Sequence, residues 1–154
     1  MVNKVKITLI IALFSLIFQS SYSKEVKVFK FTEEEMKTLK INKVKKQTTY
    51  TLGSNENGNF LKAEAQGKAS GLGIEKKINL LETPFINITW KIEKDLKGID
   101  EKTKKEHDFA ARVFVIKKTG LTPLSNKSIN YVFSSNNTIN ESWRSPYTKS
   151  SIDY

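Results

Sequence analysis

Arg112 sits inside Phe109–Lys117 (FAARVFVIK), a run whose two alternating faces are otherwise apolar. Phe109, Ala111, Val113 and Val115 line one face; Ala110, Arg112, Phe114 and Ile116 line the other. A guanidinium placed there needs a partner, because an unpaired buried charge is strongly destabilising. Asp108 shares the parity of Arg112, but four residues of strand separate their Cα atoms by roughly 13 Å, too far for an easy direct pair. Two chemistries fit. Arg112 pairs with a carboxylate of a neighbouring strand, or it lines a concave face that takes an anionic or polyhydroxyl ligand. Trp143 and Tyr147 add aromatic surface in the polar loop Ser135–Ser150. Loop aromatics either stack on sugar rings or fold back as a plug over a sheet. Arg112, Asp108, Trp143 and Tyr147 are therefore the candidate ligand-binding residues.

The remaining chemistry is excluded by residue type. There is no Cys, which removes disulfides, thiol nucleophiles and Cys-ligated metals. His107 is the lone imidazole, so no site that needs two of them can form. It stands at a loop-to-strand junction and is expected to be exposed. Successive strand residues point to opposite faces, so His107 and Asp108 form no dyad. Glu101 and Glu106 lie in a Lys/Glu-rich stretch, where such pairs arise from composition alone. No catalytic residue, metal site or cofactor is assigned. Gly71-Leu72-Gly73 lacks the third glycine and the strand-turn-helix setting of a nucleotide loop. The formal net charge is +10, yet Arg occurs only at 112 and 144, and the lysines are spread along the chain. That pattern is a solvated surface, not a reader of nucleic acid.

The elements that must hold these residues follow from periodicity. Residues 1–23 read as an export signal: Lys4 and Lys6, the uncharged run Ile7–Phe18, then small Ser21 and Ser23 before Lys24. The uncharged run is shorter than the ~20 residues of a membrane span, and no other stretch is long enough. Residues 24–46 form an N-terminal segment. Lys24–Phe31 reads as a short strand, Thr32–Glu35 as a capping box opening a helix over 33–40, and Asn42–Lys46 as a polar connector. From Gln47 the period becomes two. Gln47–Leu52 and Phe60–Gln66, around the turn cluster Ser54–Asn59, predict a hairpin. Ser70–Ile78 is a further strand whose glycines suggest a bulge. Phe85–Glu93 alternates most cleanly, with Ile86, Ile88, Trp90 and Ile92 facing a core. Lys94–Glu106 is an exposed charged loop, Phe109–Lys117 a central strand and Ser128–Ser134 the next. Ser151–Tyr154 looks like a strand beginning. No internal repeat stands out. The expected fold is an all-β, jelly-roll-like antiparallel sandwich over 47–154.

Several segments, in order, resemble the bacterial exported family named domain of unknown function 3047. They are LKAEAQGKASGL (61–72), INITWKIE (86–93), HDFAARVFV (107–115), INYVFSS (129–135) and SWRSPYT (142–148). The resemblance implies a domain that continues beyond Tyr154, so this sandwich is expected to be incomplete at its C-terminal side. It implies no particular activity. The functional expectation is a non-enzymatic module of the periplasm or cell exterior that binds a glycan or other polar envelope polymer. The alternative is a jelly-roll hydrolase or lyase whose catalytic residues lie partly in the region beyond Tyr154. A third reading is a calcium-stabilised structural domain, since Asp/Asn-rich loops supply hard oxygen ligands.

Overall fold

Thr32 opens the one helix of the described residues, α1 (Glu33–Thr38), in the way its capping box dictates. Its hydroxyl accepts from the Glu35 amide at 3.2 Å. Glu35 reaches back, and its Oε2 accepts from both the Lys30 and Phe31 amides at 2.7 Å. Phe31 takes a left-handed φ of 51°, which turns those two successive N–H groups onto one oxygen. The computed structural model describes residues 24–122 and 125–154. The expected export signal over 1–23 lies outside the described residues. The chain divides into two compact units, one ending at Asn87 and the other spanning Ile88–Tyr154.

In the first unit, β1 (Lys40–Lys45) pairs antiparallel with β4 (Ala69–Gly73). The stretch expected to be a polar connector is thus mostly strand. A ladder needs backbone donors and acceptors rather than apolar side chains, and every β1 side chain is exposed. A bulge does form in this pair, but on β1, where Val44 is the extra residue between Lys43 and Lys45. Lys24–Phe31 is not a strand. The predicted hairpin is present as β2 (Thr49–Asn55) and β3 (Gly58–Glu64), with Tyr50 opposite Ala63 and Leu52 opposite Leu61. Its loop is held by the Asn55 side chain, which accepts from the Asn57 amide at 2.9 Å. Gly58 follows at φ 108°, a conformation that suits glycine. Tyr50 ties the two ribbons together by donating to the Ser70 carbonyl at 2.7 Å.

The second unit is a four-stranded sheet in the order β5-β6-β8-β7. β5 (Ala111–Lys117) runs antiparallel to β6 (Lys127–Phe133), with Arg112 opposite Val132 and Phe114 opposite Asn130. β8 (Ser151–Asp153) lies parallel to β6, and the two-residue β7 (Trp143–Arg144) lies antiparallel to β8. The parallel pair contains a short repeat that periodicity does not expose. Ser128-Ile129-Asn130-Tyr131 and Ser151-Ile152-Asp153-Tyr154 align like with like. Ser128 Oγ meets Ser151 Oγ at 2.7 Å, Asn130 faces Asp153, and the Tyr131 and Tyr154 rings meet edge to face at 5.9 Å.

Phe85–Glu93 forms no strand. Phe85, Ile86 and Trp90 are exposed, and Trp90 touches Phe133 edge-on at 6.1 Å. Alternation supplies an apolar face, but a strand also needs a neighbour's edge, and none of the described strands pairs with this segment. Buried apolar side chains are few: among the described residues only Leu39 and Phe109 qualify. The described residues are β-rich with almost no helix, and their pairings are antiparallel apart from β6–β8.

Candidate functional site

The most enclosed part of the second unit is polar. Glu101, Asn130 and Asp153 are the largest fully buried side chains, exposed by 1%, 2% and 0%. Their burial follows from register. Arg112, Phe114, Asn130, Asp153 and Trp143 are cross-strand neighbours on one sheet face. The charged stretch 94–106 contributes Glu101 to the same enclosed region instead of being wholly exposed. Its fold is dictated by carboxylate satisfaction. Glu101 accepts from Ser134 Oγ, from Asn136 Nδ2 at 2.7 Å and from Asn137 Nδ2 at 2.6 Å. Asn136 closes the loop further by donating to the Leu96 carbonyl and accepting from the Gly98 amide. A carboxylate can be buried at tolerable cost when its lone pairs are filled in this way.

His107 is not exposed: only 2% of its side chain is accessible. Nδ1 lies 2.7 Å from the Glu101 carbonyl, which can only accept, so Nδ1 carries a proton. Nε2 faces Asp153 Oδ2 at 3.6 Å. The other oxygen, Asp153 Oδ1, accepts from Asn130 Nδ2 at 2.7 Å, and Asn130 also donates to Ser151 Oγ at 2.8 Å. Four buried polar atoms are left without a hydrogen-bond partner: His107 Nε2, Asp153 Oδ2, Asn130 Oδ1 and Trp143 Nε1.

The candidate residues from sequence gather around Phe109. The Arg112 guanidinium lies 4.4 Å from the Phe109 ring centroid and 5.3 Å from that of Phe114. Burial lowers its pKa, opposed first by the Asp153 carboxylate and then by Asp108. The stronger of these two counter-charges is thus on a strand of the same sheet, in keeping with the strand-partner reading, and no ion pair forms with Asp108. Asp108 instead accepts from the Phe109 amide at 2.9 Å. Trp143 stacks on Phe109 at 6.3 Å, with Lys102 Nζ 5.4 Å from its ring. Tyr147 packs against His107 at 5.4 Å and donates to the Lys104 carbonyl at 2.7 Å. Both loop aromatics are folded back onto the unit. Sequence reasoning missed Glu101, Asn130 and Asp153. The matching Ser-Ile-Asn and Ser-Ile-Asp runs were the available signal for the latter two. No three His, Cys, Asp or Glu side chains among the described residues converge as a metal cage.

A family model for DUF3047, described as a protein of unknown function, matches residues 34–154. The chain belongs to the DUF3047 family. The match takes in α1 from Glu34 onward and every strand described above, so the polar centre is part of the DUF3047 domain. No curated protein and no solved structure matches this DUF3047 chain. Among its described residues no helix is long and apolar enough to cross a membrane.

Proposed function

We propose that this DUF3047 chain is a non-enzymatic binding module of the cell envelope that takes a glycan or another polar polymer on the Arg112 side of its four-stranded sheet. Its framework in this reading is an antiparallel, jelly-roll-like sandwich, and its place is the periplasm or cell exterior. The observation that carries the reading is the state of Arg112. The guanidinium is stacked on Phe109 and Phe114 yet makes no hydrogen bond to another described residue. Its donors are therefore held in orientation and still unspent, which suits an acidic or hydroxyl-rich ligand. Tyr147 lies close by with much of its ring exposed.

A glycan and envelope-polymer array with the purified full-length chain tests this. We expect a hit that weakens about tenfold in Arg112→Lys, which keeps the charge but loses the planar fork, and that also weakens in Tyr147→Ala. Trp143→Ala is a poorer probe because Trp143 packs on Phe109. A folded protein that binds nothing on the array overturns the reading. For export, sequencing of the secreted N-terminus should begin at Lys24.

The hydrolase or lyase reading has one observation in its favour, the His107–Asp153 pair with Arg112 nearby. Release of reducing ends from an array polymer, abolished in His107→Gln, would select it.

A further inference from the structure

Ile78, Leu80, Leu81, Phe85 and Ile86 are large apolar side chains that one short loop of the first unit leaves exposed. Leu80, Leu81 and Phe85 are exposed by 69%, 94% and 82%. A lone exposed leucine needs no explanation, but a run of them in one loop marks a surface that meets another apolar phase. Asn79 builds the turn that presents them. Its side-chain oxygen accepts from the Leu81 amide at 3.1 Å, and its carbonyl accepts from the Glu82 and Thr83 amides at 3.1 and 2.9 Å. The Thr83 hydroxyl donates to the same carbonyl at 2.9 Å, and Pro84 has no N–H to satisfy. Three successive amides of the tip are thus spent inside the turn, while the two leucines stand in solvent.

The base of the turn is basic. Lys76 and Lys77 lead into it. Lys24 Nζ donates to Glu82 Oε2 at 3.4 Å, and Lys76 Nζ donates to the Lys27 carbonyl at 3.2 Å. These contacts lay the lysine-rich stretch from Lys24 alongside the turn. Glu82 is matched there by Lys24, and Glu75 by Lys40 at 3.6 Å. Lys24, Lys27, Lys40, Lys76 and Lys77 together outnumber Glu25, Glu75 and Glu82.

We propose that the loop 78–86 seats the protein on an anionic lipid bilayer, with Leu80, Leu81 and Phe85 entering the headgroup–acyl boundary and the lysines resting on the headgroups.

Two independent features select a bilayer over a protein partner. The first is the backbone: a segment entering lipid must satisfy its own polar groups, and the Asn79 turn does so for the amides of its tip. The second is charge: a lysine surplus around an apolar tip adds headgroup attraction to apolar burial, the pattern of interfacial attachment. The loop is far shorter than the ~20 residues of a span, so it dips into the surface without crossing. The surface belongs to the first unit and does not rest on a polymer bound at Arg112.

The experiment is co-sedimentation of full-length protein with vesicles of phosphatidylglycerol and phosphatidylcholine in equal parts, and with vesicles of phosphatidylcholine alone. We expect binding to the mixed vesicles at least tenfold tighter than to the neutral ones. Leu80→Asp with Leu81→Asp should weaken it at least tenfold, as should Lys76→Glu with Lys77→Glu. Ile139→Asp, which charges an equally exposed apolar residue of the second unit, should leave it unchanged. A Leu81→Trp reporter keeps the loop otherwise intact; its added emission should shift to the blue on mixed vesicles and be quenched by lipids brominated along the acyl chain. The proposal is overturned if folded protein ignores the mixed vesicles, or if the leucine variant binds as wild type. It is overturned equally if the tryptophan stays in water while the protein is bound. Size-exclusion chromatography showing a dimer that Leu81→Asp dissociates, without vesicle binding, would assign the loop to a second copy instead.

Discussion

Glu101 shows how a single side chain organises the second unit. Its carboxylate collects three donors from the turn at Ser134–Asn137, and its carbonyl orients His107. Glu101→Gln replaces one acceptor oxygen by an NH₂ group that meets another donor. We expect it to lower unfolding stability by about 2–3 kcal/mol, because a charge-assisted bond is lost and a buried donor is left unmet. Denaturant melts compared with the exposed control Glu93→Gln would measure this. Glu82, by contrast, is exposed. Its pKa is lowered first by the Asn79 side chain, which donates at 2.7 Å, and then by Lys24. A depressed carboxyl stabilises the fold above the ordinary glutamate range and loses that contribution as pH falls through its folded midpoint. A side-chain NMR titration should place Glu82 below an ordinary glutamate, and Asn79→Ala should move it back up.

At the scale of elements, local signals with local partners were legible. Thr32 and Glu35 lie within five residues of every group they bind, so their capping box could be read from spacing. Thr32→Ala should cost about 1 kcal/mol, visible as lost helical signal and a lower melting temperature. The β2–β3 hairpin was legible for the same reason, since turn chemistry and alternation agree. Gly58→Ala introduces no clash, as nothing lies within 4 Å of the added carbon. Its backbone at φ 108° still penalises a side chain, and we expect a loss of about 1–2 kcal/mol. Phe85–Glu93 taught the opposite lesson. Its alternation was the cleanest in the chain, and it found no edge to pair with. β1 had almost no apolar pattern and still became a strand, because β4 offered it a ladder.

At the scale of the molecule, charge and site separate. A net charge of +10 carried by dispersed lysines attracts any anionic polymer weakly, and salt screens that attraction over a Debye length of about 10 Å at 0.1 M. Retention on a generic polyanion should therefore vanish at moderate salt. Binding through the Arg112 side should survive the same salt, because its guanidinium is half-buried and stacked. Salt-dependent binding measured for wild type and Arg112→Lys distinguishes the two: the variant should lose the salt-resistant part alone.

Residue types and short-range spacing determined the β-rich character, the helix cap, the hairpin and the absence of thiol chemistry. Those properties depend on composition or on groups a few residues apart. The polar centre was decided only in three dimensions. Glu101 meets partners 33 to 36 residues away, and His107 meets Asp153 across most of the second unit. A charged residue in a Lys/Glu run reads as solvated until a distant turn supplies donors to satisfy it. A lone histidine reads as idle until a parallel strand brings a carboxylate to its second nitrogen. Which polar groups can afford burial is set by partners, and the chain's path through space chooses the partners.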